Sequence, residues 1–168
     1  MRWTVRDATP DDHDALLAVW RRAVEATHHF LTPADVDGYE TRLRAVLPRA
    51  AMRVAVGDDD VPVGFLAGRA GEVDALFVDP AVHGTGAGTA LVDDAARHHA
   101  ILTVAVNEQN PDAHAWYRRR GFVETHRSDL DADGRPFPLV YLRRAAPRNA
   151  PGPAGTVRRS ATSEGVER

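Results

Sequence analysis

The fold is decided by the segment Glu72-Val-Asp-Ala-Leu-Phe-Val-Asp-Pro-Ala-Val-His-Gly-Thr-Gly-Ala-Gly-Thr-Ala-Leu-Val92. Its apolar run stops at Asp79-Pro80, and a loop with glycines at 84, 86 and 88 follows. The next stretch has the apolar periodicity of a helix. A strand, a glycine loop and a helix in this order direct free backbone N–H groups and the positive end of a helix dipole at an anion. The segment therefore predicts a site for a phosphate-bearing cofactor.

Two common nucleotide sites fit this loop poorly. A P-loop needs a Lys-Ser/Thr pair after its last glycine, whereas Thr89-Ala90 stands there and the chain contains no lysine. A dinucleotide fingerprint has the spacing Gly-x-Gly-x-x-Gly after the first strand. This loop is Gly-x-Gly-x-Gly and lies midway along the chain. Hydrolysis of ATP or GTP and binding of a dinucleotide are therefore both disfavoured.

Two further segments follow the glycine loop. The short β-branched run 101–106 predicts a strand, which is followed by Asn107-Glu-Gln-Asn110. A helical segment then carries the aromatic pair Trp116-Tyr117 and ends at Gly121-Phe122, with glycine at a position that commonly ends helices.

Together these motifs resemble the GNAT superfamily of N-acetyltransferases over roughly residues 3 to 143. The run His83-Gly-Thr-Gly-Ala-Gly88 is similar to the acetyl-CoA loop of that family, with His83 where arginine or glutamine is usual. Several pieces resemble the bacterial YjaB-type branch, which is regarded as acetylating protein lysines; they are residues 25–31, 74–80, 106–110 and 136–139. The resemblance implies an enzyme that moves an acetyl group from acetyl-CoA to a primary amine in a ternary complex.

The resemblance and the pattern of elements predict an α/β fold, a mixed central sheet of about seven strands flanked by about four helices. Strands are expected at 2–6, 52–56, 63–68, 72–78, 101–106, 122–127 and 139–142, and helices at 10–25, 32–47, 86–99 and 112–120. These elements form one domain over residues 1–145. Residues 146–168, rich in Pro, Gly, Arg and Ser without apolar periodicity, are predicted to be a disordered tail.

The resemblance also implies which residues hold acetyl-CoA. Backbone groups of the fourth strand would run beside the pantetheine arm, and amides of the glycine loop would hold the pyrophosphate. Two asparagines near the end of the fifth strand would contact the cofactor where that strand splays from the fourth. The expected contacts are Leu76, Phe77, Val78, His83, Gly84, Thr85, Gly86, Ala87, Gly88, Thr89, Asn107, Asn110 and Tyr117.

Acetyl transfer needs an acid for the departing thiolate and a base for the amine, which is mostly protonated at neutral pH. Tyr117 stands four residues before Gly121, where the family's acid tyrosine lies; the alternative is a core aromatic. Many family members place a glutamate on the fifth strand, but this chain has Ala105 there. Glu72 and Asp74 share one face of the fourth strand, and Glu72 is favoured as the base. One alternative is that a carboxylate only attracts a cationic substrate, and another is that both are solvated charges at the end of the strand.

Eight histidines raise the question of a metal site. The pairs 28–29 and 98–99 are adjacent in sequence and would rarely share one ion, so no metal is expected. The segment His28-His29-Phe30 lies between the first two helices, which in GNAT enzymes wall the acceptor site. These three residues are therefore expected to line the acceptor pocket, a histidine acting as a contact or relay base.

The composition limits the chemistry, the partners and the location that can be expected of the protein. Cysteine is absent, which excludes disulfides and thiolate chemistry, and the net charge of −3 gives no general attraction to nucleic acid. No apolar run approaches the roughly 20 residues of a membrane span. We expect a cytoplasmic monomer or homodimer whose acceptor is a protein lysine or a small amine such as a polyamine or antibiotic. The remaining alternative is a non-catalytic acyl-CoA-binding module.

Overall fold

The computed structural model describes residues 2–145, and the predicted tail lies outside this range. Seven strands are present: β1 (Thr4–Asp7), β2 (Met52–Val56), β3 (Pro62–Arg69), β4 (Glu72–Val78), β5 (Ile101–Asn107), β6 (Val123–Ser128) and β7 (Leu139–Ala145). Four α-helices accompany them: α1 (His13–Thr27), α2 (Pro33–Val46), α3 (Ala87–His98) and α4 (Pro111–Arg119). Single turns of 3-10 helix occupy Pro10–Asp12, Leu47–Arg49 and Pro80–Val82. No helix among these residues is long and apolar enough to cross a membrane.

The capping residues predicted for the first two helices form hydrogen bonds at the helix starts. Thr32 accepts a hydrogen bond from the Asp35 amide, and the Asp35 carboxylate accepts one from the Thr32 amide, which caps α2 reciprocally. The predicted first helix divides into a 3-10 turn and α1. Thr9 and Asp12 cap that turn, and Asp12 also accepts two hydrogen bonds from Arg6.

The seven strands form one mixed sheet in the order β1-β2-β3-β4-β5-β7-β6. All neighbouring pairs are antiparallel except β4 and β5, which run parallel. Helix α1 packs against β3, β4 and α2, and α3 packs on β2 and β3. Apolar side chains separate the sheet from these helices; the largest fully buried ones are Phe65, Leu16, Leu91, Leu102, Leu142, Val19, Val54 and Val92. The predicted α/β fold is confirmed.

The parallel pair β4–β5 is open along most of its length. Only Glu72 with Thr103 and Val73 with Val104 remain in register. Beyond them the strands separate, while β4 keeps its pairing with β3 as far as Val78. The unpaired backbone of β4 therefore faces a gap in the middle of the sheet, between α1 on one side and α4 on the other.

Candidate active site

Two cavities meet at the gap between β4 and β5. The first, of about 520 Å³, lies between the second half of β4, the glycine loop and α4. The second, of about 480 Å³, lies between β4, β5, α1, α2 and the loop before β7. His28 and Phe77 line both cavities. The two cavities are therefore neighbours, with these two side chains between them.

The glycine loop owes its shape to left-handed backbone. Gly84 has φ +78° and Gly86 has φ +99°, a region that side chains with a Cβ rarely adopt. Gly86 directly precedes α3 as its N-cap residue. Gly88 serves a different purpose, because a Cβ there would lie 3.1 Å from Trp116 Cζ2. Two glycines thus set the turn, and the third allows α3 and α4 to approach each other.

The loop and the first turn of α3 present free amides to the first cavity. Within the described residues, no hydrogen-bond acceptor is paired with the backbone N–H groups of Gly84, Gly86, Ala87, Gly88 and Thr89. All of these residues line the cavity. Free N–H groups at a helix N-terminus bind phosphate well, because the helix dipole adds its positive end. This part of the site fits the diphosphate of a coenzyme A thioester.

Thr85 is placed differently from its neighbours. Its amide and hydroxyl donate to the Val82 carbonyl oxygen, and its own oxygens accept from the Trp3 indole N–H at 3.1 and 3.2 Å. It is absent from the residues that line the cavity. Thr85, expected from the sequence to contact the cofactor, instead anchors the loop to the strand end beside it.

Helix α4 supplies the opposite wall and two positive charges. Ala113, Trp116, Tyr117 and Arg120 line the first cavity because their spacing of three and four residues puts them on one face of the helix. Arg119 also lines it, as does one carboxylate, Asp112. No sequence motif marks either arginine, although the helical period counted from Tyr117 reaches Arg120.

Tyr117 is a buried aromatic with a free hydroxyl. Its ring packs edge-on against Trp116 and Phe122, with centroids 4.9 and 5.1 Å away. Its Oη has no hydrogen-bond partner among the described residues. Burial raises the pKa of Tyr117 well above its ordinary value, with Arg120 opposing part of the rise. The phenol therefore stays protonated at neutral pH and is able to donate a proton.

The other predicted contacts of the first cavity fall into two groups. Leu76, Phe77, Val78 and His83 line it, and His83 Nε2 lies 3.1 Å from the Val78 carbonyl oxygen. Asn110 also lines it, but its side chain caps α4 by accepting from the Ala113 amide. Asn107 does not line it, and lies in the second cavity instead. Asn107 ends β5 on the same side as Ala105 and Thr103, and the alternation of a strand turns that side toward the second cavity.

The second cavity combines aromatic walls with carboxylates. Its aromatic side chains are Trp20, Phe30, Tyr39, Phe77, Phe137 and Tyr141, and its acidic ones are Glu72, Asp74, Asp131 and Asp133. Asp131 accepts from the amides of residues 133 and 135, and Asp133 pairs with Arg42. Glu72 and Asp74 are exposed and form no ion pair with the described residues. Two carboxylates are thus available to a cation.

The two histidines at the end of α1 are separated by the structure. His28 and Phe30 both line the second cavity, and their rings lie 5.4 Å apart. His29 is exposed and lines neither cavity. Residue 28 ends α1 with its amide still bonded to Val24, so the chain turns there and directs consecutive side chains apart. The described residues contain no cluster of His, Cys, Asp or Glu arranged to hold a metal ion.

The family model for the acetyltransferase (GNAT) domain matches residues 19–138. The chain belongs to the GNAT family. Among curated relatives of this GNAT enzyme, the peptidyl-lysine N-acetyltransferase YjaB of Salmonella typhimurium is 42% identical over 142 residues, which cover 84% of this chain and 98% of the relative. The acetyltransferase assignment is therefore confirmed, and so is the likeness to the YjaB branch.

Solved structures agree with this assignment. The solution structure of apo YjaB from Escherichia coli has a TM-score of 0.81 and 40% identity, and the match covers 85% of this chain and 97% of that one. An N-acetyltransferase from Thermoplasma acidophilum in complex with coenzyme A has a TM-score of 0.68 at 17% identity, covering 86% and 99%. The second likeness shows the fold alone, and that neighbour carries coenzyme A.

Proposed function

We propose that this GNAT enzyme acetylates lysine side chains of proteins, with acetyl-CoA bound in the first cavity and lysine in the second. The observation that carries the proposal is the opposite charge of two cavities that meet. Free amides, Arg119 and Arg120 surround the first, whereas the carboxylates of Glu72 and Asp74 are available in the second. The first suits a diphosphate and the second an ammonium group. The name of the relative at 42% identity supports lysine as the acceptor.

The residues have separate tasks in this proposal. Acetyl-CoA supplies the acyl group as a thioester. The free backbone of Leu76 to Val78 lies along the gap, where an N–H group is positioned to polarise the thioester carbonyl. Tyr117 donates its phenolic proton to the sulfur as the carbon–sulfur bond breaks. Glu72 and Asp74 attract the protonated amine, and the aromatic walls enclose its alkyl chain. A cytoplasmic location, which the sequence indicates, is part of the same proposal.

The experiment is an assay of coenzyme A release with lysine peptides, polyamines and aminoglycosides as separate acceptors. We expect turnover with lysine peptides and a mass increase of one acetyl group on the lysine residue. Turnover confined to polyamines or aminoglycosides would make the enzyme a small-amine acetyltransferase. Binding of acetyl-CoA without turnover of any amine would leave an acyl-CoA-binding module, and the proposal would be wrong.

A further inference from the structure

His28 occupies the place where a proton acceptor would be most useful. It follows Thr27 as the residue that caps the C-terminal end of α1, and it lines both cavities together with Phe77. Glu72 and Asp74 line only the second cavity. In the reaction proposed above, the amine nitrogen meets the thioester carbon where the two cavities join. A base at this junction would therefore lie closer to the attacking nitrogen than a carboxylate confined to one side.

The hydrogen bonds of Thr27 determine the tautomer of His28. The Thr27 hydroxyl donates to the Ala23 carbonyl oxygen at 2.7 Å, and His28 Nδ1 lies 2.7 Å from the same hydroxyl oxygen. A hydroxyl has one proton, so both contacts are favourable only when Nδ1 carries a proton and donates it to Thr27. The neutral ring then has its lone pair on Nε2. This tautomer is inferred from the network of hydrogen bonds.

The Nε2 atom is free and accessible. It forms no hydrogen bond with the described residues. Among these residues, the only side-chain nitrogen or oxygen that is both completely buried and unpaired is Nε of Arg144. His28 Nε2 is therefore not completely buried. The ring is held between Phe30 and Phe77, with centroids 5.4 and 6.2 Å away. An imidazole with a fixed plane, a fixed tautomer and an unoccupied lone pair is arranged to accept a proton.

The surroundings of His28 also favour its neutral form at rest. Burial lowers the pKa of His28, and the neighbouring charge of His29 lowers it further. The ring is therefore neutral at physiological pH. His28 stands at the C-terminal end of α1, the negative end of the helix dipole, which offsets part of the cost that burial places on the imidazolium formed when a proton arrives.

We propose that His28 is the general base of the acetyl transfer and accepts the amine proton at Nε2. An ammonium acceptor loses two protons as it becomes an amide. One passes through His28 to solvent. The second replaces, through solvent, the proton that Tyr117 gives to the departing thiolate. The new carbon–nitrogen bond forms as the carbon–sulfur bond breaks, and the products are the N-acetyl amine, free coenzyme A and one proton. Thr27 is a positioning residue that keeps Nε2 deprotonated.

This inference rests on the proposed function and reassigns one of its tasks. The sequence favours Glu72 as the base, whereas the contacts of His28 support the imidazole for proton transfer and leave Glu72 to attract the cation. The two assignments differ in a measurable way. Removing a base slows the reaction more when the acceptor amine is strongly basic than when it is weakly basic. Removing an attracting charge raises KM without this dependence.

The experiment compares His28→Gln with His29→Gln, its exposed neighbour, on two peptides that differ at the acceptor. One contains lysine and the other thialysine, which has the same length but a less basic amine because sulfur withdraws electrons. We expect His28→Gln to lower kcat on the lysine peptide by about 10²–10⁴-fold. On the thialysine peptide, the same variant should lower kcat by a clearly smaller factor. His29→Gln should keep most of the wild-type kcat on both peptides, because it removes only a neighbouring charge and leaves the imidazole of His28 in place. Thr27→Val should lower kcat less than His28→Gln, with the same dependence on the amine.

Each outcome separates this inference from the proposed function. If the wild type fails to acetylate either peptide, the proposed function itself is wrong. If the wild type is active and His28→Gln keeps its kcat on lysine, only the assignment of the base is wrong. The assignment is also wrong if His28→Gln lowers kcat equally on both peptides. It is wrong as well if Glu72→Gln, and not His28→Gln, shows the greater loss of kcat on the more basic amine. The acetyl-CoA affinity and the melting temperature of each variant are measured to show that it is folded. Thr27→Val tests the same hydrogen-bond network while the imidazole is retained.

Discussion

The guanidinium carbon of Arg120 lies 3.6 Å from the centroid of the Trp116 ring, and two of its nitrogens donate to the Thr89 hydroxyl. This contact joins the last turn of α4 to the first turn of α3. It brings a positive charge beside the free amides that follow Gly86. The region proposed to bind the diphosphate is therefore built from two helices joined by one arginine, and Thr89 takes part through its contact with Arg120 as well as through its free amide.

Replacing Arg119 by alanine should weaken binding of acetyl-CoA. Arg119 is exposed and lines the first cavity, so its loss removes a charge-assisted contact with phosphate without removing a packing contact. We expect the Kd to rise about 10-fold or more, the usual value of one such hydrogen bond. Calorimetry measures it, with Arg118→Ala as the matched control, because Arg118 is exposed and does not line the cavity. Equal affinities of the two variants would contradict the placement of the phosphates.

Replacing Gly86 by valine should weaken acetyl-CoA binding through the backbone. A Cβ at Gly86 would come no closer than 4.0 Å to Trp3, so space is available, but φ +99° is strained for a β-branched residue. The loop must shift, and its free amides shift with it. We expect at least a 10-fold rise in Kd, measured by calorimetry on the folded variant. Gly38→Ala, in an open position on α2, is the control and should leave affinity unchanged.

Replacing Tyr117 by phenylalanine should separate chemistry from packing. The ring would still fill its place between Trp116 and Phe122, and Oη has no hydrogen-bond partner among the described residues that would be left unpaired. We expect kcat to fall about 10²–10⁴-fold, with kcat/KM falling equally. Acetyl-CoA affinity should change by less than roughly threefold. A variant with the kcat of the wild type would leave Tyr117 as a packing residue only.

Replacing Asp12 by asparagine should lower stability at neutral pH and remove part of its acid dependence. Hydrogen bonds from Arg6 lower the pKa of Asp12 from 3.8 to about 2, against the opposing effect of burial. The lowered pKa stabilises the fold fully above about pH 4, and this stabilisation disappears as the pH falls toward 2. Loss of the partly buried pair should cost about 1–3 kcal/mol of unfolding free energy at pH 7.

Urea denaturation of the wild type and Asp12→Asn at pH 7 and pH 3 measures this effect. The difference between the two proteins should be smaller at pH 3. The exposed neighbour provides the control, since Asp11→Asn should leave both values nearly unchanged. A difference that stays constant between the two pH values would show that the Arg6–Asp12 pair contributes nothing through its charge.

The sequence predicts most of the fold because local signals mark its elements. Helix ends are predicted within two residues of those observed from three signals: the proline and capping residues before α2, the glycines around α3, and Gly121 after α4. The insertion of β7 between β5 and β6 has no local signal, since it depends on pairing across about 40 residues.

The candidate site also has one part that the sequence predicts and another part that it does not. The glycine loop and Tyr117 are recognisable because their spacing along the chain is itself the motif. Asn107 and Thr85 fall within the motif by number, yet the direction of a strand side chain and a contact with Trp3 turn them elsewhere. The tautomer of His28 depends on the relative positions of three atoms, which no sequence pattern specifies.

The separation of β4 from β5 has a consequence for the exchange of backbone hydrogens with heavy water. Along an antiparallel strand, successive residues direct their N–H groups to opposite neighbours. In the second half of β4, every other amide is therefore bonded to β3, while the amides between them point into the gap. The strand should show fast and slow exchange in alternation, and the fast class should become slow when acetyl-CoA fills the gap.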